Sequence, residues 1–191
     1  MVVVMTPVRY TYVDKEEVGG CILPAQFPGW VKYETGDFFH ETYSVKWDLR
    51  FLRLAREIAS WSHDPSTQVG AVAVDKEHGI IATGYNGFSK KNLDRPEDYQ
   101  NRNRKLMQMI HAEENLLLFA EKNRLKHCTL YTYPFIPCGT CAAKLLQVDI
   151  DRVVSLDGIP DRWLESFNCG REQFADAGVI VDYYPVEFLN V

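Results

Sequence analysis

His111 and Glu113 stand two residues apart in "IHAEEN", and Cys138 and Cys141 stand three apart in "PCGTC". One imidazole and two thiolates suit tetrahedral zinc, and three protein ligands leave a coordination position for water, the mark of a catalytic rather than a structural site. Cysteines at i and i+3 share a face of the first helical turn, where unpaired N–H groups and the positive helix end favour thiolate sulfur. Two thiolates and a neutral imidazole leave a zinc site with formal charge near zero, so water there is acidified less than on an all-histidine site. A general base is then needed. Glu113 shares the opening turn with His111 without being required as a ligand, which suits it to carry the proton.

Both pairs open predicted helices, about 112–122 and, directly after Pro137, about 139–147. Upstream, Ser44 reads as the N-cap of a helix with apolar residues at Val45, Leu49, Leu52, Ala55 and Ala59 and a second stripe at Phe51, Leu54, Ile58 and Trp61. The Asp-Pro pair in "SHDPST" ends it. The runs "QVGAVAVD" and "GIIATGY" predict a hairpin. The charged stretch "NGFSKKNLDRPEDYQNRNRK" predicts a long surface loop holding at most a helical turn, and long loops in compact domains tend to be functional. Strands "CTLYTY", "RVVSL" and "VIVDYY" then alternate with helices, the last about 162–177, where "NCG" at 168–170 is a breaker signal. Single helices between strands imply parallel neighbours with right-handed crossovers. The expected fold is therefore α/β, a mixed five-stranded sheet with helices on both faces. Tyr131 and Tyr133 alternate on their strand and are expected in core and pocket wall. Residues 1–43, with "CILPAQFPGW", lack a sustained period and are expected to form an N-terminal extension packing through its aromatics on a domain of residues 44–191.

The chain has 191 residues, 46% of them hydrophobic, enough for one substantial core and too few for two comfortable domains. A formal net charge of −5, from 26 acidic and 21 basic residues, lacks the footprint a long nucleic acid demands, while a mononucleotide remains open. No stretch approaches the roughly 18 to 20 apolar residues of a membrane span, and "MVVVM" has no basic n-region, so a cytoplasmic protein is expected. Cys21, Cys128 and Cys169 read as packed thiols; a structural metal site would need one of them, or His127, as a fourth ligand.

His111-Ala112-Glu113 followed by Pro137-Cys138-Gly139-Thr140-Cys141 matches the H-x-E…P-C-x-x-C signature of zinc nucleobase deaminases. Together with "STQVGAVAVD", "GYNGF", "HAEENLLL" and "TLYTYPFIPCGTC", residues 45–184 resemble the deoxycytidylate (dCMP) deaminase branch of the cytidine deaminase superfamily. That resemblance implies the three-layer cytidine deaminase-like fold and zinc-dependent hydrolysis of dCMP to dUMP and ammonia, supplying a thymidylate precursor. It implies that Asn86 hydrogen-bonds the sugar and that Ala112 and the backbone around Phe135 and Ile136 read the pyrimidine edge; Thr67, at the start of the first strand of the hairpin, is placed to face the pocket. Asn86-Gly87 is also an ordinary turn signal, and Thr67 equally suits the turn after Pro65. Glu113 would carry a proton from water to ring N3 and another to the departing amino group. Candidate phosphate partners are Lys90, Lys91, Arg95, Arg102, Arg104 and Arg162. The resemblance also implies a homohexamer activated by dCTP and inhibited by dTTP, with Mg2+ accompanying the triphosphate. Phe119 and Lys122, at the far end of the zinc helix, would then contact the effector between subunits; the plainer reading makes Phe119 core and Lys122 a solvated helix end.

Other deaminases with this signature act on tRNA adenosine, free cytosine, guanine or a riboflavin precursor. The acidic balance speaks against the tRNA reading, and "GYNGF" with its long following loop against the free-base enzymes. A catalytically silent nucleotide-binding regulator is disfavoured because Glu113 is retained. Glu114 occupies a place usually apolar in the resembled family; turned about 100° around the helix from Glu113, it is expected to point away from the zinc toward solvent, the long loop or a neighbouring subunit.

Overall fold

The computed structural model describes residues 8–12, 30–34 and 44–190. Strands β1 (Val8–Tyr12) and β2 (Trp30–Glu34) precede helix α1 (Val45–Ala59), the hairpin of β3 (Gly70–Val74) and β4 (Ile80–Tyr85), and short helices α2 (Pro96–Gln100) and α3 (Arg102–Gln108). There follow α4 (Ala112–Phe119), β5 (Thr129–Tyr133), α5 (Gly139–Leu146), β6 (Arg152–Leu156), α6 (Leu164–Asp176) and β7 (Ile180–Tyr184). The strands form one sheet in the order β2-β1-β7-β6-β5-β3-β4. β5, β6 and β7 are parallel, and β3 is antiparallel to both β4 and β5. The five expected strands and their mixed sense are all present.

β1 and β2 extend that sheet, β1 pairing antiparallel with β7 through Val8 with Tyr183 and Arg9 with Asp182. Packing through aromatics of residues 1–43 lies outside the described side chains. The remaining strands alternate between two cores because successive side chains point to opposite faces. Val72, Val74, Tyr131, Val154, Leu156 and Tyr184 meet α1 through Leu49, Phe51, Leu52, Ala55 and Ile58. Ala71, Ala73, Leu130, Val153, Val181 and Tyr183 meet α4, α5 and α6 through Leu116, Leu145 and Phe174. Burial on both faces gives the three-layer arrangement and explains why β3 reads as a continuous apolar run. Among the described residues no helix is long and apolar enough to cross a membrane.

Several local expectations are corrected. Ser44 sits at the N-cap of α1, but its side chain makes no capping bond; its carbonyl accepts from Trp47 and Asp48. The charged stretch after β4 contains two helices instead of a single turn, separated by Asn101, whose side chain caps α3 by accepting from Arg104 N–H. Helix α4 stops at Phe119, and residues Lys122–Leu125 form a separate 3-10 turn. "NCG" does not interrupt α6: a Cβ at Gly170 would lie 2.6 Å from the Pro137 carbonyl oxygen, so this glycine permits close helix packing. Tyr131 and Tyr133 face the α1 core; the Tyr131 hydroxyl donates to Asp48 at 2.8 Å.

Asp48 is the hub of a buried polar network. Its carboxylate accepts from Nη1 and Nη2 of Arg152 at 2.8 and 2.6 Å and from the Tyr184 hydroxyl at 2.7 Å. Arg152 also donates to Asp182 at 2.7 Å. Three charges that would be costly to bury singly are thus paired, and the network ties α1 to β5, β6 and β7.

Candidate active site

β4 and α4 approach so closely that a Cβ at Gly84 would lie 2.2 Å from the Ala112 carbonyl oxygen. Asn115 Nδ2 donates to the Tyr85 carbonyl at 2.7 Å, and Gly87 and Ile110 exchange backbone hydrogen bonds of 3.1 and 2.9 Å. These contacts fix the chain immediately before α4, where His111 holds the N-cap position. Cys138 holds the N-cap position of α5, and Cys141 lies one turn inside it. Two helix starts therefore converge.

Nδ1 of His111 lies 3.5 Å from Cys138 Sγ and 3.3 Å from Cys141 Sγ, with all three donor atoms within 4.8 Å of one another. Zn–N near 2.05 Å and Zn–S near 2.3 Å at a tetrahedral angle would put nitrogen and sulfur about 3.5 Å apart, so donor type and spacing both fit zinc. Among the described residues this is the metal-competent His/Cys/Asp/Glu group, and no Cys128, His127 or Cys169 joins it; Cys21 lies outside them. The hydrogen bond from Cys141 draws the Cys138 thiol down to about 4, while Cys141 is pushed up. The bond to Cys138 raises His111 to about 9.

Glu113 is buried, 4% exposed, and burial pushes its carboxyl up to about 7, a value suited to both accepting and returning a proton near neutrality. It opens onto a cavity of about 340 Å³ whose lining also includes His111, Ala112, Cys138, Asn86, Thr67 and Ile136. Cys141 lies behind that lining, 1% exposed. Phe119 and Lys122 do not reach the cavity; Phe119 is 69% exposed, which overturns its reading as core. Of the six candidate phosphate partners, Arg102 and Arg162 line the cavity, while Lys90, Lys91, Arg95 and Arg104 do not. Arg104 pairs with Asp98, and the Lys90 ammonium stands over the Phe119 ring.

A family model described as the cytidine and deoxycytidylate deaminase zinc-binding region matches residues 45–157, more than half of the chain. The chain belongs to this deaminase family. It is 39% identical over 148 residues, 76% of its own length and 98% of the relative's, to a protein named as an uncharacterised deaminase in the luxG 3′ region of Aliivibrio fischeri. It is 35% identical over 146 residues to the deoxycytidylate deaminase of Saccharomyces cerevisiae, covering 71% of this chain but only 44% of that enzyme. In fold it resembles the dCMP deaminase of cyanophage S-TIM5, solved in complex with dCMP and dUMP, with a TM-score of 0.56 at 18% identity over 74% of this chain and 98% of that one.

Family membership gives weight to the cavity residues that sequence reading passed over. Asp64 was legible only as a helix breaker, yet its Oδ1 accepts from Ser66 and Thr67 N–H at 2.8 and 3.2 Å and its carboxylate holds Lys105 Nζ at 2.7 Å. Lys105 stands in the stretch read as loop, so no helix period was available to place it. Asn86 Oδ1 accepts from Val69 N–H at 2.8 Å, and Nδ2 donates to the Thr67 carbonyl at 2.9 Å, so its amide holds the cavity wall together. Met109, Leu106, Trp163 and Phe167 complete an apolar side that single-residue motifs do not announce.

Glu114 points away from the cavity, as expected, and is partly exposed, but its partners lie on α4 and α5 and not in the long loop. One carboxylate oxygen accepts from the His111 backbone N–H at 3.0 Å, and the other pairs with Lys144 of α5.

Proposed function

We propose that the chain hydrolyses dCMP to dUMP and ammonia, with zinc held by His111, Cys138 and Cys141 and protons carried by Glu113. The buried Glu113 carboxyl, beside the His/Cys/Cys group on the wall of a nucleotide-sized cavity, carries this reading. When bound, zinc supplies Lewis acidity toward water. Glu113 takes one proton of the attacking water and delivers it to ring N3 as the C4–O bond forms. It then transfers the second water proton to the amino nitrogen; the C4–N bond breaks and ammonia leaves, so that water and dCMP balance dUMP and ammonia.

The pyrimidine edge meets backbone at Ala112 and near Phe135 and Ile136. Asn86 Oδ1 has a second lone pair for a sugar hydroxyl beyond its bond to Val69 N–H, and Thr67 lines the sugar side. Arg102 and Arg162, which both line the cavity, are the candidates to receive the 5′-phosphate. The same reading carries dCTP as activator and dTTP as inhibitor of a homohexamer, with Mg2+ on the triphosphate and the exposed Phe119 and Lys122 as contacts.

Zinc content and ammonia release from dCMP, dCTP, deoxycytidine and cytosine test this directly. Zinc-replete protein should prefer dCMP, dCTP should shift the dCMP saturation curve to lower concentration, and dTTP should shift it higher. Glu113→Gln should keep zinc and lose roughly 10²–10⁴-fold in turnover. An active, zinc-replete Gln variant removes Glu113 from this role, and release from cytosine alone sinks dCMP as substrate.

A further inference from the structure

His111 and Cys141 sit in the first turns of α4 and α5, and each is followed three residues later by a charged side chain, Glu114 and Lys144. Those side chains meet. Glu114 Oε1 pairs with Lys144 Nζ across the two helices, while Glu114 Oε2 accepts from the His111 N–H at 3.0 Å. Neither residue lines the cavity. The pair is partly open to water, with side-chain exposures of 22% and 47%, and such ion pairs contribute little to global stability. Its position gives it a different lever: it fixes the distance between the segment carrying the imidazole and the helix carrying the thiols.

We propose that Glu114 and Lys144 form a positioning clamp that holds the two ligand-bearing helix starts at metal-binding separation and thereby sets how tightly His111, Cys138 and Cys141 retain zinc. The clamp rests on the metal reading given above. A metal site tolerates errors of only about 0.2 Å in its ligand distances, and outer-sphere groups that orient ligands typically change metal affinity roughly 10–100-fold. Glu114 acts on both sides of that geometry, because a single carboxylate orients the His111 backbone and reaches the cysteine helix.

Zinc dissociation constants, measured by chelator competition on the folded full chain, together with thermal midpoints of the zinc-free forms, test the clamp without using turnover. Lys144→Met and Glu114→Gln should weaken zinc binding about 10-fold, and Glu114→Ala, which also frees the His111 N–H, by up to about 100-fold. Lys144→Arg should restore nearly wild-type affinity. The zinc-free midpoints should stay close together. Variants that bind zinc as tightly as wild type overturn the clamp, as does a fall in zinc-free midpoint large enough to account for the weakened binding. Wild-type protein that takes up no zinc instead sinks the proposed function from which the clamp follows.

Discussion

At the scale of single residues, the two adjacent glutamates of "IHAEEN", Glu113 and Glu114, differ in everything but their chemistry. Glu113 is buried against the cavity, whereas Glu114 binds the His111 backbone and Lys144, so i and i+1 on a helix have different surroundings, which is why we propose chemistry for the first and positioning for the second. The spacing of the motif made the first assignment legible. The second was not, because the partner of Glu114 lies 30 residues away on another helix. Asp64 shows the same limit and yields a pH prediction. Burial pushes its carboxyl up, but hydrogen bonds from Lys105 and Ser66 outweigh burial and leave it below 3.8. A carboxyl depressed on folding contributes stability that is present above 3.8 and is lost as pH falls through the lower folded-state value. Asp64→Asn keeps an oxygen for the turn at Ser66 and Thr67 but loses the charge holding Lys105. It should cost about 1–3 kcal/mol at neutral pH, a gap that narrows as pH falls below 3.8. Denaturant midpoints of both proteins across that range would decide it; a gap independent of pH would show that the charge is not what stabilises the loop.

At the scale of elements, apolar periodicity located α1, which buries one face, and short β-rich runs between turn signals located the five strands from β3 onward. The same signal failed for α2 and α3. Nothing in α3 is buried, and Asp98 and Tyr99 are the buried residues of α2, so no apolar stripe marks these helices. Periodicity also hid the most demanding contact of α1. Asp48 falls in the first turn of a helix, where an acidic residue usually needs no explanation beyond the helix dipole, yet it binds Arg152 of β6 and the hydroxyls of Tyr131 and Tyr184. Asp48→Asn would leave Arg152 with Asp182 but strip it of its bidentate partner. Breaking a buried pair in this way costs about 3–5 kcal/mol, which for a chain of this size lowers the thermal midpoint by roughly 6–20 °C. Calorimetry should show that drop with the zinc stoichiometry unchanged, since the network lies on the α1 face of the sheet and the metal group on the other. Loss of less than about 1 kcal/mol would mean that the network behaves like an exposed ion pair.

At the scale of the molecule, an acidic chain of net charge −5 lines its cavity with Arg102 and Arg162, in addition to Lys105, which Asp64 holds, and the buried Glu113. That contrast suits a small anion drawn into one cleft better than a long polyanion spread over a surface. The cavity residues named above all fall between Asp64 and Phe167, after the first two strands of the sheet. Among the described residues β1 meets β7 through two residue pairs, and those pairs cover a parallel strand that would otherwise be an open edge. Residues 44–191 alone should therefore fold, bind zinc and release ammonia from dCMP, while the newly exposed β7 edge should promote self-association. Sedimentation should resolve the shortened chain into larger, concentration-dependent species than the full chain, with zinc bound at the same stoichiometry. If the shortened chain failed to fold, the two added strands would have to be counted as part of the core, and the boundary at residue 44 would be wrong.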